Sequence, residues 1–243
     1  MLPPQETLPF REFLKFAGRV FLFALLLYPV RKALGLPRGS EGEDLLIALA
    51  VAAAVYPTAR KAGLDLGRLK EYWGGLRGEA FRAFKYLLLA EALVFAGLRL
   101  YDFLLTPWGL PLTDRLLFWN SQSQNPVTAG ARLAELLARP LLLPTYLVNL
   151  CAFTPLLEEF LFRRWLYAAS RRLLPAALAA PLNAALFGAL HGTDFFGAGL
   201  YGLCYCLAYE RTGRLETPVL MHAYGNLLVV ALAFGEKLGV LSP

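Results

Sequence analysis

Residues 158–163 read Glu-Glu-Phe-Leu-Phe-Arg, inside a mostly apolar run from Pro140 to Tyr167. An ionisable side chain in an apolar membrane helix costs about 2.5–3.5 kcal/mol near the bilayer centre, so two adjacent carboxylates there need a reason. Four-residue spacing puts Glu159 and Arg163 on one helix face, where they can pair. Glu158 is rotated about 100° from its neighbour and can face a cavity instead. Merely balancing Arg163 and Arg164 at an interface would be a costly use of both carboxylates.

Working outward, the chain holds about seven such runs, with six to eight as the range because several are short. They cover Phe13 to Val30, Asp44 to Pro57, Ala80 to Leu105, Pro140 to Tyr167, Ala176 to His191, Phe195 to Tyr209 and Pro218 to Phe234. The whole chain of 243 residues is 57% hydrophobic and only 17% charged, with a mean hydropathy of +0.49. A soluble chain of this size has too much surface for so few charges, whereas helices that face lipid need few. The sequence therefore predicts an all-α fold: a polytopic integral membrane helical bundle, one membrane domain over 1–243.

A net charge of +6 raises the question of nucleic acid. The basic residues cluster between the apolar runs, with Arg19, Lys85 and Arg99 inside them, the pattern of positive-inside loops, so no nucleic-acid partner is expected. They concentrate on the side of the N-terminus, above all between Arg60 and Arg82 and between Arg163 and Arg172, which predicts a cytoplasmic N-terminus. The expected location is a membrane, with the bacterial cytoplasmic membrane as the best fit. The first run looks like a signal peptide, but no small-residue cleavage site follows it and it is read as a retained helix. The basic connection Ala59 to Glu79 suits a segment lying on the membrane surface. Thr106 to Arg139, on the other side, mixes aromatic residues with the polar stretch Asn120 to Asn125.

Two further clusters carry chemistry: Phe187-Gly188-Ala189-Leu190-His191 and His222-Ala223-Tyr224-Gly225-Asn226. The chain has two histidines, and each sits at the edge of an apolar helix in a different cluster. Spacing lets His222 and Asn226 point at one site. Gly188 with Gly192, and Gly225, would let helices approach closely enough to join the clusters, although packing alone also explains them. Glu158, His191, His222 and Asn226 together suit hydrolysis: a carboxylate and an imidazole to activate water, and a second imidazole and an amide to hold an oxyanion. The same atoms can bind zinc as two histidines and a carboxylate, but there is no HExxH helix.

In this order, EExxxR (Glu158, Glu159, Arg163), FxxxH (Phe187, His191) and HxxxN (His222, Asn226) resemble the CPBP family of intramembrane proteases, which includes the CAAX prenyl endopeptidases and Abi-like bacterial proteins. The resemblance spans Glu158 to Asn226 and suggests a catalytic core over 140–235. It implies a glutamic-type intramembrane endopeptidase, with Glu158 and His191 activating water, His222 and Asn226 stabilising the oxyanion, and Glu159 and Arg163 supporting the site. It implies no obligatory cofactor, with zinc still open, and a membrane-associated protein or peptide as substrate. Arg164 stands where many relatives carry glycine.

Other features are assigned structural roles. Gly197, Gly199 and Gly202 form a GxGxxG inside an apolar run rather than after a strand, and are read as packing. Cys151, Cys204 and Cys206 have no framework spacing. Glu91 and Arg99 are expected to pair with other helices, with Glu91 reaching the cavity as the alternative, and Asp194 to be a loop residue or helix cap. The rival function is a non-enzymatic transporter or immunity scaffold using the same groups for a proton relay or a partner, although no inverted repeat is present. The oligomeric state is not readable from the sequence.

Overall fold

The computed structural model describes residues 10–37, 41–61, 69–105, 107, 142–191 and 195–237. Among them every regular element is a helix, in agreement with the all-α expectation. The helices are α1 (Phe10–Ala33), α2 (Glu41–Lys61), α3 (Leu69–Leu105), α4 (142–170), α5 (Ala176–Leu190), α6 (Phe195–Thr212) and α7 (Glu216–Lys237). Each of the seven apolar runs lies within or largely overlaps one of them.

Two helices end on glycines at positive φ, where a side chain would be strained. Gly35, at φ 65°, follows α1, with its N–H on the Lys32 carbonyl and that of Leu36 on Arg31. Gly213, at φ 66°, ends α6 with its N–H on Tyr209 and turns the chain into α7.

Polar contacts set an antiparallel register between α1 and α2. Glu12 bonds Lys61 at 2.7 Å, Arg19 bonds the Ala54 carbonyl at 3.1 Å and the Thr58 hydroxyl, and Arg31 pairs with Glu43 at 3.2 Å. The arginine inside the first apolar run is thus satisfied by its neighbouring helix.

The 37 residues of α3 run about 55 Å at 1.5 Å per residue. Its start corrects the surface-lying reading of Ala59 to Glu79: residues 59–61 end α2, residues 62–68 lie outside the described residues, and 69–79 are the first turns of α3. The reason is Glu79, which is buried and accepts hydrogen bonds from Arg82 and from Thr217 of α7. It also pairs with Arg214 at 3.2 Å, tying this end of α3 to the α6–α7 corner. Farther along, Ala83, Leu87, Ala90, Val94 and Leu98 form the buried stripe, whereas Phe81 and Phe103 stand 73% and 77% exposed. Small and medium residues face the protein and large apolar ones face outward.

Two π-helical stretches, Asn149–Phe153 and Phe160–Tyr167, interrupt α4 on either side of the paired glutamates. Such widened turns are rare and gather at functional sites. The first has a local cause. The Thr154 N–H bonds Asn149, five residues back, and Pro155 has no N–H to give. The Leu150 carbonyl is thereby left without a donor from the next turn.

Glycine lets α5 and α6 approach closely. A Cβ on Gly188 would lie 2.3 Å from the Phe195 carbonyl oxygen, and one on Gly202 would lie 3.1 Å from the Phe187 ring. The GxGxxG motif of α6 is packing, as expected. Gly225 is different: its nearest neighbours would be 3.7 Å away, an ordinary contact, so it does not govern helix approach. Gly192 and Asp194 lie outside the described residues.

Among the described residues no helix is long and apolar enough to cross a membrane. The 15 residues of α5 extend only about 22 Å, α1 carries Lys15 and Arg19 in its first half, and α4 carries Glu158, Glu159, Arg163 and Arg164. Helix hydropathy therefore does not carry the seven-span expectation.

Candidate active site

The core of the site is a buried ion pair. Glu159 and Arg163 are both fully buried, and Arg163 Nε lies 3.0 Å from Glu159 Oε2. Removing both charges from water is expensive unless further partners hold them. Arg163 Nη2 donates to the Gly202 carbonyl at 3.0 Å, and the guanidinium carbon lies 4.7 Å from the Phe187 ring centre and 5.2 Å from that of Tyr205. Three helices thus contribute to its surroundings, α4 with the charge and α5 and α6 with ring faces and a carbonyl.

Glu159 also reaches α7. His222 Nδ1 lies 3.0 Å from Glu159 Oε1, and His222 is buried. A carboxylate already paired with arginine accepts here, so Nδ1 carries the proton and donates. The opposite nitrogen, Nε2, is left for the site. To donate a hydrogen bond from Nε2 as well, the ring must be doubly protonated.

His191 ends α5 in the sparsely populated bridge region, at φ −92° and ψ 2°. Its backbone N–H turns to the Gly188 carbonyl, leaving the Phe187 carbonyl for the ring, whose Nδ1 is 2.7 Å away. A carbonyl only accepts, so Nδ1 donates and the neutral ring presents a bare Nε2. That nitrogen lies 3.9 Å from Glu158 Oε2. The Glu158 Oε2 atom is itself buried without a hydrogen bond. Two acceptors at this separation are suited to share one water or one proton between them.

Asn226 lies one turn beyond His222, and its Nδ2 donates to the Leu150 carbonyl at 2.8 Å. This is the carbonyl freed by the π turn and Pro155. One of the two amide N–H bonds is committed there and the second is not.

Five of the six candidate residues are joined by contacts, Glu158, Glu159 and Arg163 from α4, His191 from α5 and His222 from α7, with Phe187 touching both imidazoles; Asn226 lies one turn from His222 on α7 and bonds α4 at Leu150 instead. Sequence reading misses two neighbours. Asn183, buried in the very apolar α5, donates to the Phe162 carbonyl at 3.1 Å and accepts from the Cys206 thiol, locking α5 to α4 and α6. Its signal is an amide at a position where every neighbour is apolar. Tyr205 stacks on His222 with ring centres 5.3 Å apart. Only its four-residue spacing from Tyr201 marks it. Glu91 does pair with another helix, accepting from the Tyr201 hydroxyl at 2.6 Å, while Arg99 has an exposed side chain on α3.

The sequence leaves zinc open. Among the described residues no three His, Cys, Asp or Glu side chains are grouped to hold a metal ion.

Residues 140–228 match the model of the Rce1-like family, described as type II CAAX prenyl endopeptidases. The match begins just ahead of α4 and closes two residues past Asn226, so it contains every residue of the cluster. Over this stretch the resemblance to CPBP and CAAX proteases, which are peptide hydrolases, is a finding. No curated protein and no solved structure matches the chain.

Proposed function

We propose that this protein is an intramembrane endopeptidase that hydrolyses a peptide bond of a membrane-associated protein or peptide by a metal-free, glutamic-type mechanism. The observation that carries the reading is the facing pair Glu158 and His191, 3.9 Å apart on separate helices, with the carboxylate oxygen buried and unbonded and the imidazole oriented by Phe187.

In this mechanism a water held between Glu158 Oε2 and His191 Nε2 gives a proton to the carboxylate as its oxygen attacks the scissile carbonyl. The carbonyl electrons move to oxygen, and the resulting oxyanion accepts from His222 Nε2–H and the second N–H of Asn226. Collapse of the tetrahedral intermediate breaks the C–N bond. The proton held by Glu158 passes to the leaving amine, and His191 relays it. Glu159 and Arg163 never touch the substrate; they hold His222 from behind.

Membrane residence is part of the proposal. It is supported by the outward-facing apolar side chains of α1 and α3, such as Phe21 at 67% exposed, and by the family match. Exposed large apolar side chains repeated along two helices are suited to lipid or protein against them. The distribution of Lys and Arg supports a cytoplasmic N-terminus, and the bacterial cytoplasmic membrane is the proposed location.

The test is cleavage of a membrane-anchored peptide library by the full chain in liposomes, read by mass spectrometry, with Glu158→Gln and His191→Ala in parallel and with a chelator added. Products from the wild type alone, unchanged by the chelator, are expected. Cleavage by folded Glu158→Gln removes that residue as base; loss on chelation restored by zinc removes the metal-free mechanism. Proton-coupled uptake without products would favour the transporter instead.

A further inference from the structure

Three groups that take no part in the proposed hydrolysis run in a line behind it. α6 places Tyr201 and Tyr205 one turn apart, and the Tyr205 ring, almost wholly buried, lies against His222 with 21° between the ring planes. The Tyr201 ring follows at 6.2 Å and 33°. Its hydroxyl donates to Glu91 Oε2 of α3 at 2.6 Å.

A single hydrogen bond fixes one point of an imidazole but not its plane. His222 has that bond, from Nδ1 to Glu159. Phe187 meets the ring edge-on at 6.2 Å and 77°, while Tyr205 is the flat ring stacked on its face, and such ring pairs interact beyond simple area burial. The same Tyr205 ring lies 5.2 Å from the Arg163 guanidinium carbon, so it braces both partners of Glu159. The bond from the Tyr201 hydroxyl to Glu91 anchors the row to α3.

We infer that Tyr205, backed by Tyr201 and Glu91, is a positioning residue for His222 that fixes the plane of the imidazole so that Nε2 keeps one direction into the site. Its consequence for catalysis rests on the peptidase reading above; its consequence for the His222 ring does not. It also gives a purpose to Glu91, a carboxylate in an apolar stretch of α3.

The experiment uses the full chain in liposomes and reads both cleavage kinetics and the imidazole N–H signals of 15N-labelled histidine. With two histidines in the chain, His191→Ala assigns the spectrum. In Tyr205→Leu we expect kcat to fall about 2- to 10-fold at unchanged KM, the fold-change that corresponds to loss of one ring pair. The His222 Nδ1–H signal should move or broaden while that of His191 stays. Tyr205→Phe, which keeps the ring, should restore both. Glu91→Gln should displace the His222 signal in the same direction by less. Wild-type kcat and an unmoved His222 signal in Tyr205→Leu overturn the inference, as does a Phe variant as impaired as the Leu variant. Should Tyr205→Leu lose the His191 signal too, and so prove unfolded, Glu91→Gln decides, and an unmoved His222 signal there overturns it. If the wild type cleaves nothing, the peptidase reading fails while the His222 signal still decides the positioning role.

Discussion

The α1–α2 pair and the α5–α6 pair are both built from apolar helices, yet they are held together in opposite ways. Between α1 and α2, among the described residues, polar contacts are spread along the length, at Glu12 with Lys61, Arg19 with Ala54 and Thr58, and Arg31 with Glu43. Large side chains such as Phe21 and Leu25 point away. Between α5 and α6 the backbones nearly touch at Gly188, and Asn183 and Cys206 are buried at the seam. The difference follows from what each pair carries. α5 ends in His191, whose ring must meet Glu158 from another helix, so its depth and angle are set by close packing. The first pair carries none of the six site residues and only needs an apolar exterior.

The largest contrast is expected in activity. Glu158→Gln should lower peptide cleavage by about 100- to 10,000-fold, the usual range for a lost general base. Phe21→Ala in α1 should leave the rate close to that of the wild type in the same liposome assay. Equal loss in both would mean that the pairs do not divide the labour in this way.

Next comes stability. Arg163→Ala leaves the fully buried Glu159 without its guanidinium partner and should cost about 3–5 kcal/mol, seen as a lower unfolding midpoint in detergent. Arg31→Ala breaks the less buried pair with Glu43 and the bond to the Leu36 carbonyl, and should lower the midpoint by less than Arg163→Ala does.

The glycines should respond with opposite signs. Gly188→Ala puts a methyl against the Phe195 backbone, and overpacking of this kind costs about 1–3 kcal/mol. Gly18→Ala in α1 meets nothing within 4 Å and should stabilise by about 0.5–1 kcal/mol through helix propensity. Thermal unfolding of both variants checks the signs, and a destabilised Gly18→Ala would mean that α1 has a close neighbour.

The smallest effect is a pH dependence where the last turn of α6 meets the end of α4. Arg171, bonding Glu210 at 2.9 Å, and the Tyr167 hydroxyl hold the Glu210 carboxyl below the usual carboxylate range. A carboxyl with a lowered folded-state value stabilises the protein above its ordinary unfolded value, near 4.3, and that contribution is lost as pH falls through the lowered value. Wild type should therefore exceed Glu210→Gln in unfolding midpoint at neutral pH, and the gap should close in acid. On the other pair, Lys61 and Lys15 bring Glu12 down to about 2, so the same comparison with Glu12→Gln should show its gap closing at lower pH.

Much of this architecture is legible in the sequence because it rests on local periodicity. Apolar runs locate seven helices, and four-residue spacing anticipates the Glu159–Arg163 pair found at 3.0 Å. The start of α3 is not legible, because Glu79 is held by Arg214 and Thr217, more than 130 residues away. Asn226 is legible as a site residue but not as the partner of Leu150. That bond depends on a carbonyl freed by Pro155 on a helix far away in the chain.

The amino-acid sequence by itself determined the all-helical class, the clustering of ionisable groups in three apolar segments, and the pairing within α4, since all of these follow from the 3.6-residue repeat and side-chain chemistry. Tertiary structure alone decided which nitrogen of each histidine faces the site and which ring stacks behind His222. Those depend on carbonyls, carboxylates and aromatic faces brought in from other helices, and no spacing along one helix specifies what the next helix places opposite it.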